Sequence, residues 1–160
     1  MSLFRSKGKS LVLAFLISGT LDILAAVLIL AGGNAEAVFR FIAQGAFGQQ
    51  AYQDGWEMVV WGFVFHYFIA FAFTLTYFLL IPYLRFLRKH PVASGLLYGL
   101  LIWCVMNFLV LPLSQNPPPP FSIEGSYLNV LILMTAVGLP VALIAQKHEV
   151  ARRTSPPDSV

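Results

Sequence analysis

Charge is scarce in this chain: Asp, Glu, Lys and Arg make up 11% of its 160 residues, against 58% hydrophobic ones. So small a polar complement cannot cover a globule in water, which excludes a soluble domain and points to lipid. Cysteine is nearly absent. The single Cys104 excludes an intrachain disulfide and leaves the redox compartment unread. No segment recurs at a period of about 20 to 50 residues, so a repeat architecture is excluded as well.

What the chain has is long apolar runs. A bilayer core is about 30 Å thick and a helix rises about 1.5 Å per residue, so one crossing takes roughly 20 apolar residues. Four such runs are present: Ser10 to Gly32, Gly55 to Leu80, Pro91 to Leu113 and Tyr127 to Ala145. Residues 1–9 precede them and residues 147–160 are expected to form a tail, so little is left over for a second domain. The expected fold is an all-α bundle of four transmembrane helices.

The net charge of +3 is no sign of nucleic-acid binding, because the basic residues stand where a membrane protein needs them. Arg5, Lys7, Lys9, Arg85, Arg88, Lys89, Lys147, Arg152 and Arg153 fall on one side and Arg40 alone on the other. This bias predicts both termini inside. A cleaved signal peptide is the competing reading of the first run, with Asn34-Ala35-Glu36-Ala37 as cleavage site. That run is longer than a signal core of about 7 to 15 residues, and it contains Asp22.

In the first outer loop, Asn34 can cap a helix, Glu36 and Arg40 stand at i,i+4, and Val38, Phe39, Phe41 and Ile42 are apolar. The pattern predicts a short interfacial helix, broken by Gly45 and Gly48, that plugs the outer mouth or gates it. Pro117 to Pro120 predict an extended spacer in the second outer loop. Tyr83 to His90 predict a tight hairpin between spans two and three, and Thr154 to Val160 a disordered end.

Ionisable groups inside a span are where function is most readable, since a charged Asp at mid-bilayer costs about 2.5 to 3.5 kcal/mol. By residue counting, Asp22 lies roughly 15 Å below the outer surface and His66 roughly 16 Å. This common depth on antiparallel neighbours predicts a hydrogen bond or ion pair. Asn107, at roughly 9 Å, and Cys104, at about 13 Å, can approach from the third span. Thr20, Tyr67 and Trp103 complete the expected pocket lining. Two readings stay open: a proton-titrating or ligand-binding site, or a polar pair that only fixes helix register.

No His, Cys, Asp and Glu spacing matches a metal site, and no second histidine can face His66 across a haem within one chain, so no metal or cofactor is expected. No nucleophile, base and orienting group fall into an enzymatic arrangement. A small multidrug exporter also carries an acidic residue in its first span, but the strong charge bias here argues against that architecture. Gly95 and Gly99 on the third span, and Gly62, His66 and Ala70 on the second, predict close helix approach.

The segments Ser18-Gly-Thr-Leu-Asp22, Phe41-Ile-Ala-Gln-Gly-Ala-Phe-Gly48, Gly62-Phe-Val-Phe-His66 and Trp103-Cys-Val-Met-Asn107 with Pro112 resemble uncharacterised bacterial four-span membrane proteins. They are distantly similar to the YagU-like inner-membrane proteins. The resemblance covers most of residues 10–146, implies a bacterial inner membrane, and marks Asp22, His66 and Asn107 for testing; it implies no activity. The functional expectation is a small polytopic protein that binds or passes a solute or protons through this polar pocket. The alternative is a structural or accessory subunit of a larger membrane complex. Four spans enclose little volume, so a homodimer is the further expectation for a pathway.

Overall fold

The computed structural model describes residues 4, 6–53, 55–117 and 123–154. Four helices are long and apolar enough to cross a membrane: α1 (Lys7–Leu30), α4 (Glu57–Leu80), α6 (Pro91–Leu113) and α7 (Ser126–Thr154). Three short helices join them: α2 (Ala35–Phe47), α3 (Gln50–Gln53) and α5 (Arg85–Lys89). No strand occurs among the described residues. The chain is therefore an all-α four-helix bundle, as its apolar runs dictate.

The long helix α7 is the centre of the bundle. It packs on α1, α4 and α6, while α1 also packs on α4. Lipid tails are as apolar as leucine, so these contacts depend on close van der Waals fit and interhelical hydrogen bonds rather than on escape from water. Glycine supplies the fit between α6 and α7. A Cβ on Gly138 would stand 2.0 Å from the Gly95 carbonyl oxygen, and one on Gly99 would stand 2.4 Å from that of Leu133.

At the end carrying both termini, Ala14, Tyr77, Phe78, Ile81, Val141, Ala142 and Ala145 form a buried core. Polar links cross it: the Tyr77 hydroxyl meets Ser94 Oγ at 2.8 Å, and the Tyr98 hydroxyl donates to the Phe73 carbonyl at 2.7 Å. The expected hairpin after α4 contains a helix, α5. Arg88 closes the turn by donating to the carbonyls of Ile81 and Pro82, and Gln146 on α7 donates to the Arg88 carbonyl.

Beyond Ala145 the chain stays helical to Thr154, so the tail expected from residue 147 starts as a continuation of α7. Glu149 explains the extension: its buried carboxylate accepts from Arg152 at 2.9 Å and from Arg153 at 2.8 Å, one helical turn on. His148 Nδ1 donates to the Phe4 carbonyl at 2.7 Å, which brings the two ends of the chain together. Residues 155–160 and Pro118 to Pro120 lie outside the described residues, and with them most of the expected spacer and the disordered end.

At the opposite end, the first long loop holds α2. Asn34 Oδ1 accepts from the Ala37 amide at 3.0 Å, and Arg40 pairs with Glu36 at 2.8 Å. The helix runs through Gly45 and ends at Phe47, correcting the expected break at Gly45. Gly48 provides the stop, with φ +62°, a conformation glycine adopts without Cβ strain. Gln115, in the second loop, clasps this end: its amide nitrogen donates to the Gly45 carbonyl at 3.0 Å and its side chain to that of Ala46 at 2.6 Å. The body of α2 lies on α4, where a Cβ on Gly62 would fall 2.0 Å from the Phe39 carbonyl oxygen.

Each of α1, α6 and α7 contains a wider π turn: Ala26–Leu30, Met106–Val110 and Leu133–Gly138. In α6 and α7 a proline follows two residues later, Pro112 and Pro140. A proline in a regular helix loses one hydrogen bond and its ring presses on the carbonyl four residues back, at a cost of about 3 kcal/mol or more. Widening the preceding turn moves that carbonyl away.

Candidate functional site

The inward face of α1 runs through Ser10, Ala14, Ser18, Gly19 and Ile23, all buried, and Asp22 stands half-buried at its edge. On α4 the matching stripe is Met58, Gly62, His66, Ala70 and Thr74, all buried. The stripes meet at Gly19. A Cβ there would come to 3.2 Å from the Ala70 Cβ and 3.3 Å from the Tyr67 ring, so only glycine or a slight retreat of α4 suits this crossing.

Sequence depth places Asp22 and His66 level, and the structure puts both at this crossing. They do not form the direct bond expected. His66 Nε2 lies 2.8 Å from the Gly19 carbonyl oxygen, one turn before Asp22. A carbonyl only accepts, so Nε2 carries a proton and donates it, and Nδ1 is the nitrogen outside this bond. Asp22 stands near enough to His66 for their charges to interact. Its half-buried carboxyl makes no hydrogen bond or ion pair among the described residues. The close approach at Gly19 explains the exchange, because it offers the imidazole a backbone acceptor before the carboxylate is reached.

Two expected lining residues join this group. Thr20 Oγ1 and the Tyr67 hydroxyl are 2.9 Å apart, and the Tyr67 ring stands edge-on to the His66 ring at 5.3 Å. Thr20, Tyr67 and His66 thus form one polar patch across two helices, with Asp22 one turn beyond the Gly19 carbonyl that holds His66. The α6 residues behave differently. Asn107 turns its amide back onto the Trp103 carbonyl of its own helix at 2.9 Å, Trp103 packs against the buried core, and Cys104 is a half-buried free thiol. No hydrogen bond, ion pair or ring contact joins these three to the α1–α4 patch among the described residues. The helix order accounts for that: α7 packs on both α1 and α6, which do not pack extensively on each other.

Backbone groups were missed by sequence reasoning. The Gly19 carbonyl is the main partner of His66, and the only signal for it is a glycine on the inward stripe. Around Asp22 the packing loosens: residues 24–34 include no buried position, and neither do residues 103–113. Asp22, half-buried, stands at the border of this less buried stretch. Among the described residues, no three His, Cys, Asp or Glu side chains gather as metal ligands would.

No family model, no curated protein and no solved structure matches the chain.

Proposed function

We propose that this chain is a multi-pass protein of a bacterial inner membrane, with cytoplasmic termini, whose Asp22 and His66 form a proton-titrating site for a polar solute entering from the loop side. One observation carries the reading: a half-buried intramembrane carboxyl, one helical turn beyond the His66–Gly19 bond, has no hydrogen-bond or ion-pair partner among the described residues. A carboxyl kept in lipid only to fix helix register would be expected to hold a partner, because leaving it unpaired forfeits the bond that offsets its desolvation. Here register is already held by His66 on Gly19 and by Thr20 on Tyr67. Asp22 is left over for a proton or a ligand donor.

The geometry supports a division of labour. His66, fixed through Nε2, presents Nδ1, and the hydroxyls of Thr20 and Tyr67 extend the polar surface. Asn107 is outside this group.

The test uses N,N′-dicyclohexylcarbodiimide, an apolar reagent that reacts with protonated carboxyls in lipid. The acid O–H adds across a C=N bond of the carbodiimide, and the acyl group then migrates to nitrogen to give a stable N-acylurea. Mass spectrometry of the purified protein in nanodiscs should find the adduct on Asp22, increasing as pH falls and absent in Asp22→Asn. His66→Ala should alter the pH dependence. No adduct on Asp22 at any pH would overturn the proposal.

A second reading is favoured by the same two interhelical bonds: an accessory subunit whose polar residues serve assembly alone. It expects a stoichiometric partner on purification and an Asp22→Asn variant that loses that partner.

A further inference from the structure

A second polar feature lies at the loop end, away from Asp22. Trp56, Glu57, Val60 and Trp61 line an open cleft of about 340 Å³ at the start of α4. The two indoles are not buried into the bundle: Trp56 is 73% exposed and Trp61 46%. Between them in sequence stands Glu57, exposed and without a hydrogen bond or ion pair among the described residues. The only basic residue of these loops, Arg40, is engaged with Glu36 and with the Ala51 carbonyl.

An aromatic belt explains tryptophan at a membrane surface, where an amphipathic ring suits the headgroup layer. It does not explain an unpaired carboxylate in the same cleft. Two indole faces and a carboxylate are the chemistry that recognises an alkylammonium cation, by attraction to the ring quadrupole and by direct charge. The sequence of the two loops and their borders has the same sign, with four acidic residues, Glu36, Asp54, Glu57 and Glu124, and one basic residue, Arg40. The cleft also sits at the first turn of a membrane-spanning helix, the level at which a lipid presents its headgroup.

We propose that the Trp56–Glu57–Trp61 cleft binds the ammonium headgroup of a zwitterionic phospholipid. The headgroup nitrogen would take the place between the indoles and Glu57, with the acyl chains running down α4 beside the exposed Val60, Phe63 and Val64. The site is separate from Asp22 and His66, and neither proposal depends on the other.

Native mass spectrometry tests it. Protein is purified from nanodiscs containing equal amounts of phosphatidylethanolamine and phosphatidylglycerol, and the retained lipids are weighed on the intact protein. The expected result is enrichment of phosphatidylethanolamine, lowered about two- to fivefold by Trp61→Leu, as loss of one exposed cation–π contact implies. Glu57→Gln, which keeps shape and removes charge, should lower it as well. Both positions are at the surface, and an unchanged thermal melt shows that the variants remain folded. The second arm titrates free choline against lipid-poor protein in detergent. Choline binding without phosphatidylethanolamine enrichment would mean that the ammonium comes from solution, overturning the lipid assignment. Equal retention of both lipids, unchanged in either variant, would leave an aromatic belt and nothing more.

Discussion

Tyr77, Phe78 and Ile81, at the end of α4 near the termini, are buried to 1% exposure or less. At the other end of the bundle no position in residues 24–34 or 103–113 is buried, and all three π turns lie in the half of their helices toward the loops. In that half α4 is buried chiefly by α2, an appended helix, rather than by the other spans. One end is a close-packed anchor with each helix tied to its neighbours. The other keeps the α6–α7 contact at Leu133 but leaves the ends of α1 and α6 unburied, and it carries the unpartnered carboxyl. The difference teaches where a small bundle can keep a site, since dense packing leaves no vacancy for a ligand and loose packing does.

Forcing the α6–α7 crossing apart should have the largest effect. Gly138→Leu drives a side chain into the Gly95 backbone, and the expected loss is about 3 kcal/mol or more in reversible unfolding from lipid-detergent micelles. A loss under about 1 kcal/mol would contradict the close crossing. Next, His66→Phe keeps the bulk and removes the bond to the Gly19 carbonyl. It should cost about 0.6 to 1.7 kcal/mol in the same assay, the usual range for interhelical hydrogen bonds.

Tyr77→Phe, at the anchored end, should cost about 0.6 kcal/mol, and the loss should not add to that of Ser94→Ala, as a double-mutant cycle would show. Additive losses would mean that the two hydroxyls do not share a bond. Gln115→Ala opens the clasp on α2. Its signature is faster proteolysis after α2, with the spans no less stable than about 0.5 kcal/mol below wild type; unchanged proteolysis would show that the clasp holds nothing. Asp22→Asn should be the smallest, within about 0.5 kcal/mol, because no bond is lost. A larger destabilisation would assign Asp22 to the scaffold.

The parts legible in the sequence are those governed by local pattern. Span length and hydropathy set the four helices, and Asn34 with the Glu36–Arg40 spacing marks α2. The spacing of Glu149 to Arg152 and Arg153 is a local signal, not used in the sequence reading, that α7 continues past the apolar run. Depth counting put Asp22 and His66 on one level. It could not choose the histidine's acceptor, because that depends on how closely Gly19 lets two backbones approach. Nor could depth tell that Asn107 turns onto its own helix, since membership of a pocket depends on helix order. The Gln115 clasp joins residues 69 positions apart and leaves no local trace. Pro112 and Pro140 were the available signal for two of the π turns.

The proposal at the centre of this account is that Asp22 can be reached from the loop side, and thiol accessibility tests it most directly. In a Cys104→Ala background, Asp22→Cys and Ser18→Cys, one turn deeper on the same stripe, are reconstituted in vesicles of known orientation and treated with a membrane-impermeant maleimide on either face. The account predicts that Asp22→Cys is labelled from the loop face only and that Ser18→Cys is labelled from neither. Labelling of both positions at equal rates, or of Asp22→Cys from the terminal face, would contradict it.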